Sequence, residues 1–92
     1  MPAGFGEPLD FFHFRDKEKN EVDIVIEDAD RRVVGIEVKA AATATASDFK
    51  GLAKLQQACG KRFALGMVLY DHHQMVPFSE KLFAAPIATL WG

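Results

Sequence analysis

Ninety-two residues are enough for one small domain, and the 49% of apolar residues can supply its core. The 26% of charged residues, without any repetitive segment, indicates a folded chain rather than a disordered one. The net charge of -2 argues against a broad basic surface for nucleic acid, but it permits a local site in which metal ions bridge carboxylates and phosphate.

The sequence also limits the location and covalent chemistry of the protein. No apolar run approaches the roughly 18 residues of a membrane span, and the start of the chain lacks the pattern of a signal peptide, so we expect a cytoplasmic location. Cys59 is the single cysteine, which excludes an intrachain disulfide and a zinc site built on thiolates. The Gly- and Pro-rich residues 1–9 predict a flexible tail, and residues 10–92 form the predicted domain.

The first half of the domain predicts a meander of three antiparallel strands. An aromatic strand over residues 9–15 and a polar turn come first. Apolar residues then alternate with other residues over 21–27 and 33–39, with the period of two that is typical of strands. The five polar residues between these two segments suit a β-hairpin.

The second half predicts a crossover. The alanine-rich residues 40–46 form a loop, and a helix follows from Asp48 to Cys59, with Ser47 as its N-cap and Gly60 as its stop. The nearly all-apolar residues 62–70 predict a buried strand, parallel to the one before the helix.

The chain ends in two short extended pieces, residues 75–78 and 84–91, whose prolines predict edge positions. The predicted fold is therefore an α/β domain with a small mixed sheet of four or five strands and one main helix. A single helix leaves much of one sheet face uncovered.

The hairpin brings carboxylates together if its register is symmetric. Pairing Glu27 with Val33 places Asp23 opposite Glu37 and Glu21 opposite Lys39. Opposed strand residues have Cβ atoms about 4.5–5.5 Å apart, and like charges there destabilise a sheet. A divalent cation would relieve this repulsion, because hard cations prefer carboxylate oxygens.

The four side chains of this pattern also share one sheet face by parity. They are Glu21, Asp23, Glu37 and Lys39. Such a set suits metal-assisted phosphodiester hydrolysis, in which carboxylates hold one or two ions that polarise the phosphate and lower the pKa of a bound water. A nearby lysine stabilises the developing charge or helps to activate that water.

These residues resemble two known patterns. Asp23, followed after thirteen residues by Glu37-Val38-Lys39 at the end of an apolar strand, is similar to the core of the PD-(D/E)xK nuclease superfamily. A wider set of blocks resembles the C-terminal domain of unknown function attached to many bacterial and archaeal P-loop (AAA-type) ATPases. These blocks are FRD (14–16), EVDIVIE (21–27), VGIEVKA (34–40), DFKGL (48–52), GMVLY (66–70), PI (86–87) and LW (90–91).

The resemblance implies roles for particular residues. Asp23 and Glu37 would ligate Mg²⁺ or Mn²⁺, Lys39 would be the catalytic lysine, the carbonyl of Val38 would be a further ligand, and Glu21 would lie beside the metal. Two parts of the family patterns are absent: an acidic helix before the first strand, and a phosphate-binding loop, so we expect no nucleotide site. We therefore interpret the sequence as a fragment of a longer protein or as a shortened relative.

Two hypotheses about function remain open. The first is a metal-dependent deoxyribonuclease. The second is a non-catalytic module that binds DNA or protein in the service of an ATPase, and both allow a homodimer.

Other residues have two interpretations as well. One basic group either forms a solvated face or guides a phosphate backbone: Lys50, Lys54, Lys61 and Arg62. One aromatic group either packs in the core and at the edge or stacks on bases: Phe11, Phe12, Phe14 and Trp91. His72 and His73 predict a surface turn, because adjacent side chains point apart and a third metal ligand is missing.

Overall fold

A computed structural model describes residues 9–88 as a six-stranded mixed sheet that carries one α-helix. The strands are β1 (Asp10–Arg15), β2 (Glu21–Glu27), β3 (Val33–Val38), β4 (Phe63–Tyr70), β5 (Val76–Pro77) and β6 (Leu82–Pro86). The helix α1 (Lys50–Cys59) lies between β3 and β4 along the chain. The strand order across the sheet is β1-β2-β3-β4-β6-β5.

The predicted meander and crossover are both confirmed. β1 pairs antiparallel with β2, and β2 with β3, whereas β3 and β4 are parallel. The hairpin has the predicted register, with Glu27 opposite Val33 and Val25 opposite Gly35. The alternation of the two strands and the length of their loop together set this register, because a slip by one residue would turn the apolar side chains to the wrong face.

The sheet has one strand more than the upper limit of the prediction. Both extended pieces near the end of the chain join it, as β5 and β6. The predicted edge position is right for β5 but wrong for β6, which lies between β4 and β5. Pro86 is tolerated because it is the last residue of β6. The part of the second predicted piece beyond residue 88, including Trp91, lies outside the described residues.

The start of the helical segment differs from the prediction. A 3₁₀ turn, Ala46–Phe49, precedes α1, and its N-cap is Thr45 rather than Ser47. The Thr45 amide donates to Asp48 Oδ2 at 2.6 Å, and the Asp48 amide donates back to the Thr45 carbonyl at 3.0 Å. Gly60 ends α1 as predicted, with a φ of 58° that favours glycine.

The core lies between α1 and one face of the sheet. Val22, Leu52 and Val68 are fully buried there, and Phe63 is 1% exposed. Gly35 and Gly66 of the sheet lie directly beneath Leu52. On the other face, β2 and β3 present Ile24 and Val38 to solvent, and no helix among residues 9–88 covers this face.

Candidate functional site

The alternation of β2 breaks where the predicted site begins. Phe12 of β1 pairs with Val25 and Phe14 pairs with Val22, so His13 alone lies opposite Asp23 and Ile24. This is a β-bulge, which inserts one extra residue into one strand and re-aims the neighbouring side chains. Val22 and Val25 are consequently both buried, so the simple alternation from which a shared face for the four charged residues was predicted does not hold along β2.

Asp23 and Glu37 lie side by side across β2 and β3 and are called the carboxylate pair below. The Asp23 amide donates to Glu37 Oε1 at 3.0 Å, and the Val38 amide donates to Asp23 Oδ2 at 3.0 Å. The regular ladder ends one step earlier, at Ile24 and Ile36. Each carboxylate thus accepts a backbone hydrogen bond from the other strand.

The environment of the carboxylate pair disfavours the ionisation of both carboxyl groups at once. Burial raises the pKa of Glu37 to about 7, and hydrogen bonding and like-charge repulsion from Asp23 contribute to the increase. The pair therefore favours retaining a proton near neutral pH. A cation bound between the two carboxylates would remove the repulsion and displace that proton.

Lys39 follows β3 and contacts a residue that the sequence interpretation did not assign to the site. Its Nζ lies 2.5 Å from Asp48 Oδ2, and both side chains are partly buried. Burial acts to raise the pKa of Asp48, but hydrogen bonds from Lys39 and Thr45 outweigh it and hold this pKa below its usual value. The acidic position just before α1 was visible in the sequence, but only as a favourable first-turn residue.

A cavity of about 400 Å³ opens beside these groups. Glu37, Lys39 and Asp48 line it, together with the two further cations Lys19 and Lys50. A cavity lined by both carboxylates and amino groups suits an anionic group held through a cation.

Glu21 lines the same cavity as Glu37 and Lys39, and its negative charge contributes to the raised pKa of Glu37. Its carboxylate lies 3.6 Å from Arg15 Nε and 3.7 Å from His13 Nε2, and the structure does not pair it with Lys39. Its backbone lies against α1, where a Cβ on Gly51 would come within 2.0 Å of the Glu21 carbonyl oxygen. The main chain of Glu21 is therefore packed against the first turn of α1.

A divalent cation at this site would have few protein ligands. Within residues 9–88, no three His, Cys, Asp or Glu side chains are grouped as a metal site. The carboxylate pair would supply hard oxygen ligands, and the carbonyl of Val38 remains a predicted further one. Mg²⁺ commonly binds in this way, through one or two carboxylates plus water and phosphate.

The two adjacent histidines differ from the expectation that they point apart. The rings of His72 and His73 stack, with centroids 4.5 Å apart, and His72 also stacks on Tyr70. Tyr70 donates its hydroxyl hydrogen to the Gln74 carbonyl, which closes the turn. These contacts give the histidines a structural role in the turn after β4.

Fold and site together define a small α/β domain with a crossover helix and a carboxylate pair at the end of its central hairpin. The model of the family described as "Domain of unknown function (DUF4143)" matches residues 3–90. The chain belongs to this family. No curated protein and no solved structure matches the chain.

The structure also bears on membrane insertion. Among the described residues, no helix has the length and apolar character needed to cross a membrane.

Proposed function

We propose that this chain is a PD-(D/E)xK nuclease-like domain that hydrolyses DNA phosphodiester bonds with Mg²⁺ or Mn²⁺. The observation that carries the proposal is the side-by-side position of Asp23 and Glu37, whose carboxylates accept hydrogen bonds from the Val38 and Asp23 amides respectively, next to the cavity of Lys39. It supports the resemblance that the residue pattern alone suggests.

In this proposal each residue has a distinct part. Asp23 and Glu37 would hold the cation with the Val38 carbonyl, with Glu37 in its ionised form. A divalent cation there would supply a positive charge next to the phosphate and a water of lowered pKa. Lys39 stabilises negative charge that develops on the phosphate.

Two further lysines favour a polyanionic substrate. Lys19 and Lys50 line the same cavity, and both residues are exposed. Their ammonium groups are suited to the phosphates that flank the reacting one, since phosphate contacts dominate the affinity of proteins for DNA. The overall charge of -2 gives the chain no general attraction for DNA.

The metal site is tested by isothermal titration of Mg²⁺ and Mn²⁺ into the full chain. We expect binding to the parent and at least about tenfold weaker binding to Asp23→Asn and Glu37→Gln. Glu80→Gln, which changes an exposed carboxylate between β5 and β6, is the matched control and should bind like the parent. Equal affinity of all four proteins would exclude this site.

Catalysis is tested separately with supercoiled and linear DNA in the presence of Mn²⁺. The parent should nick or cleave the DNA, and Lys39→Ala should be inactive while still binding metal. Cleavage that persists in Lys39→Ala would point to a contaminating nuclease. Metal binding without any cleavage would favour the second function below.

The second candidate is a non-catalytic module that binds DNA or a protein partner such as a P-loop ATPase. The pairing of Lys39 with Asp48 favours it, because this ion pair engages the amino group that catalysis needs. The exposed apolar face that includes Ile24 and Val38 favours a protein partner.

Anisotropy of a labelled DNA duplex, measured with EDTA present, distinguishes a module that binds DNA from one that binds protein. DNA binding that weakens steeply with salt and with Lys19→Ala or Lys50→Ala indicates a DNA-binding module. No binding at low salt indicates a protein-interaction module.

A further inference from the structure

Lys39 differs from the other lysines that line the cavity. Lys19 and Lys50 are exposed, and within residues 9–88 neither lies within ion-pair distance of a carboxylate. The Nζ of Lys39 instead lies 2.5 Å from Asp48 Oδ2, and only 29% of its side chain is exposed. A lysine side chain has a long flexible stem, so a partner at its amino group is needed to keep that group in one place.

The main chain on each side of this ion pair is anchored. The Lys39 amide donates to the carbonyl of Leu69 in β4 at 2.8 Å, and Leu69 is fully buried. Asp48 directly precedes Phe49, which is 4% exposed and belongs to the core under α1. Because neither backbone can shift without disturbing the core, the ion pair fixes where the Lys39 ammonium lies.

The carboxylate of Asp48 is itself held by the turn before α1. Its Oδ2 accepts hydrogen bonds from the Thr45 amide at 2.6 Å and from the Thr45 hydroxyl at 3.1 Å, in addition to the one from Lys39. An ammonium group carries three hydrogens, and Asp48 accepts one of those of Lys39. The other two therefore remain for the oxygens of a phosphate in the cavity.

We propose that Asp48 is a positioning residue, which holds the Lys39 ammonium at the cavity so that it meets the phosphate in one fixed place. The catalytic consequence rests on the proposed nuclease function, whereas the fixed position of Lys39 does not. Misplacing a catalytic group by about 1 Å can slow a reaction about a hundredfold. A Lys39 without its partner would therefore still attract the phosphate, but it would stabilise the developing charge less.

Nuclear magnetic resonance of the lysine ammonium groups, in the full chain without metal or DNA, tests the fixed position. The Lys39 signal, assigned through its loss in Lys39→Ala, should exchange with water more slowly than those of Lys19 and Lys50. Asp48→Asn should lose this slow exchange, because its amide oxygen can accept from the Thr45 amide but carries no charge for the ammonium. Thr45→Ala should keep it. A Lys39 signal that exchanges as fast as the other two, or that is unchanged in Asp48→Asn, would overturn the proposal.

The catalytic consequence is measured as DNA cleavage with Mn²⁺ over a range of DNA concentrations. Asp48→Asn should lower kcat at least about tenfold, while KM for DNA stays the same or falls, because a negative charge near the phosphates is removed. Thr45→Ala weakens the same turn but keeps the ion pair, so its kcat should stay within about twofold of the parent value. Calorimetry establishes that both variants bind Mn²⁺ like the parent. An unchanged kcat in Asp48→Asn, or an equal loss in Thr45→Ala, would overturn the positioning role.

The two measurements separate this proposal from the nuclease function. Slow exchange of Lys39 that depends on Asp48, in a parent that does not cleave DNA, would exclude the nuclease function and still support the fixed position of Lys39. Fast exchange of Lys39 in a parent that cleaves DNA would exclude the positioning role alone.

Discussion

At the scale of single residues, Glu37 has the most consequential environment in the molecule. Its carboxyl group lies between Asp23 and the cavity, and its pKa of about 7 exceeds the ordinary value of 4.5. An acid whose pKa is higher in the folded chain than in the unfolded chain favours folding while it is protonated. This contribution is therefore complete below about pH 4.5 and is lost as the pH rises through 7.

Replacing Glu37 by glutamine should remove this pH dependence. The amide keeps an oxygen that can accept the Asp23 amide hydrogen, but it carries no charge. We expect the free energy of unfolding of Glu37→Gln to exceed that of the parent by about 1 kcal/mol at a pH above 7, after allowance for solvent screening. The difference should shrink as the pH falls toward 4.5.

Urea denaturation at several pH values measures this difference. Glu80→Gln serves as the control, since it removes an equal charge far from Asp23. Parallel pH profiles for the parent and Glu37→Gln would show that the carboxylate pair is not strained in the metal-free protein.

At the scale of elements, the helical segment depends on Asp48 for its start. This carboxylate joins the end of β3, through Lys39, to the Thr45 amide that caps the 3₁₀ turn. Asp48→Ala should reduce the free energy of unfolding by about 1 kcal/mol, the usual cost of a lost cap. Ser47→Ala, at the neighbouring exposed position, should cost less than about 0.5 kcal/mol.

Chemical denaturation of both variants decides between the two caps. A larger loss in free energy of unfolding for Ser47→Ala than for Asp48→Ala would show that Ser47 is the cap, as the sequence predicted. The sequence could not distinguish these residues, because both are common at helix starts and only the position of Lys39 selects Asp48.

The contact between α1 and β2 requires glycine at position 51. Alanine usually stabilises a helix relative to glycine, by about 0.5–1 kcal/mol. Here its Cβ would lie 2.0 Å from the Glu21 carbonyl oxygen, which is main chain and cannot rotate away. We expect Gly51→Ala to lower the free energy of unfolding by about 3 kcal/mol.

The other helix-terminal glycine provides a contrast. Gly60→Ala meets no atoms within 4 Å, but it must adopt a φ of 58°. Gly60→Ala should therefore lower the free energy of unfolding by about 1 kcal/mol. Thermal unfolding of the two variants would contradict this account if Gly51→Ala were the more stable one.

At the scale of the whole molecule, the core lies on one face of the sheet, beneath α1. Leu52 is fully buried between α1 and the sheet, whereas Ile24 on the other face is 37% exposed. Leu52→Ala should lower the free energy of unfolding by about 3 kcal/mol, and Ile24→Ala by about 1 kcal/mol or less. Equal losses in urea denaturation would mean that the second face is covered in solution.

The sequence by itself determined the elements and much of their order. The alternation of residues 21–27 and 33–39 and the short loop between them set the hairpin register, so Asp23 and Glu37 were correctly placed next to each other. The apolar strand after the helix predicted the parallel crossover, since a helical connection returns the chain in the same direction. These features follow from local patterns and from the direction of the chain.

Only the tertiary structure decided how the site is completed. The bulge at Asp23 and Ile24 arises from pairing with β1, which also brings Arg15 and His13 close to the Glu21 carboxylate. The ion pair of Lys39 with Asp48 depends on where α1 starts above the sheet. Both depend on contacts between segments that are separate in the sequence, and hydrophobic periodicity carries no information about such contacts.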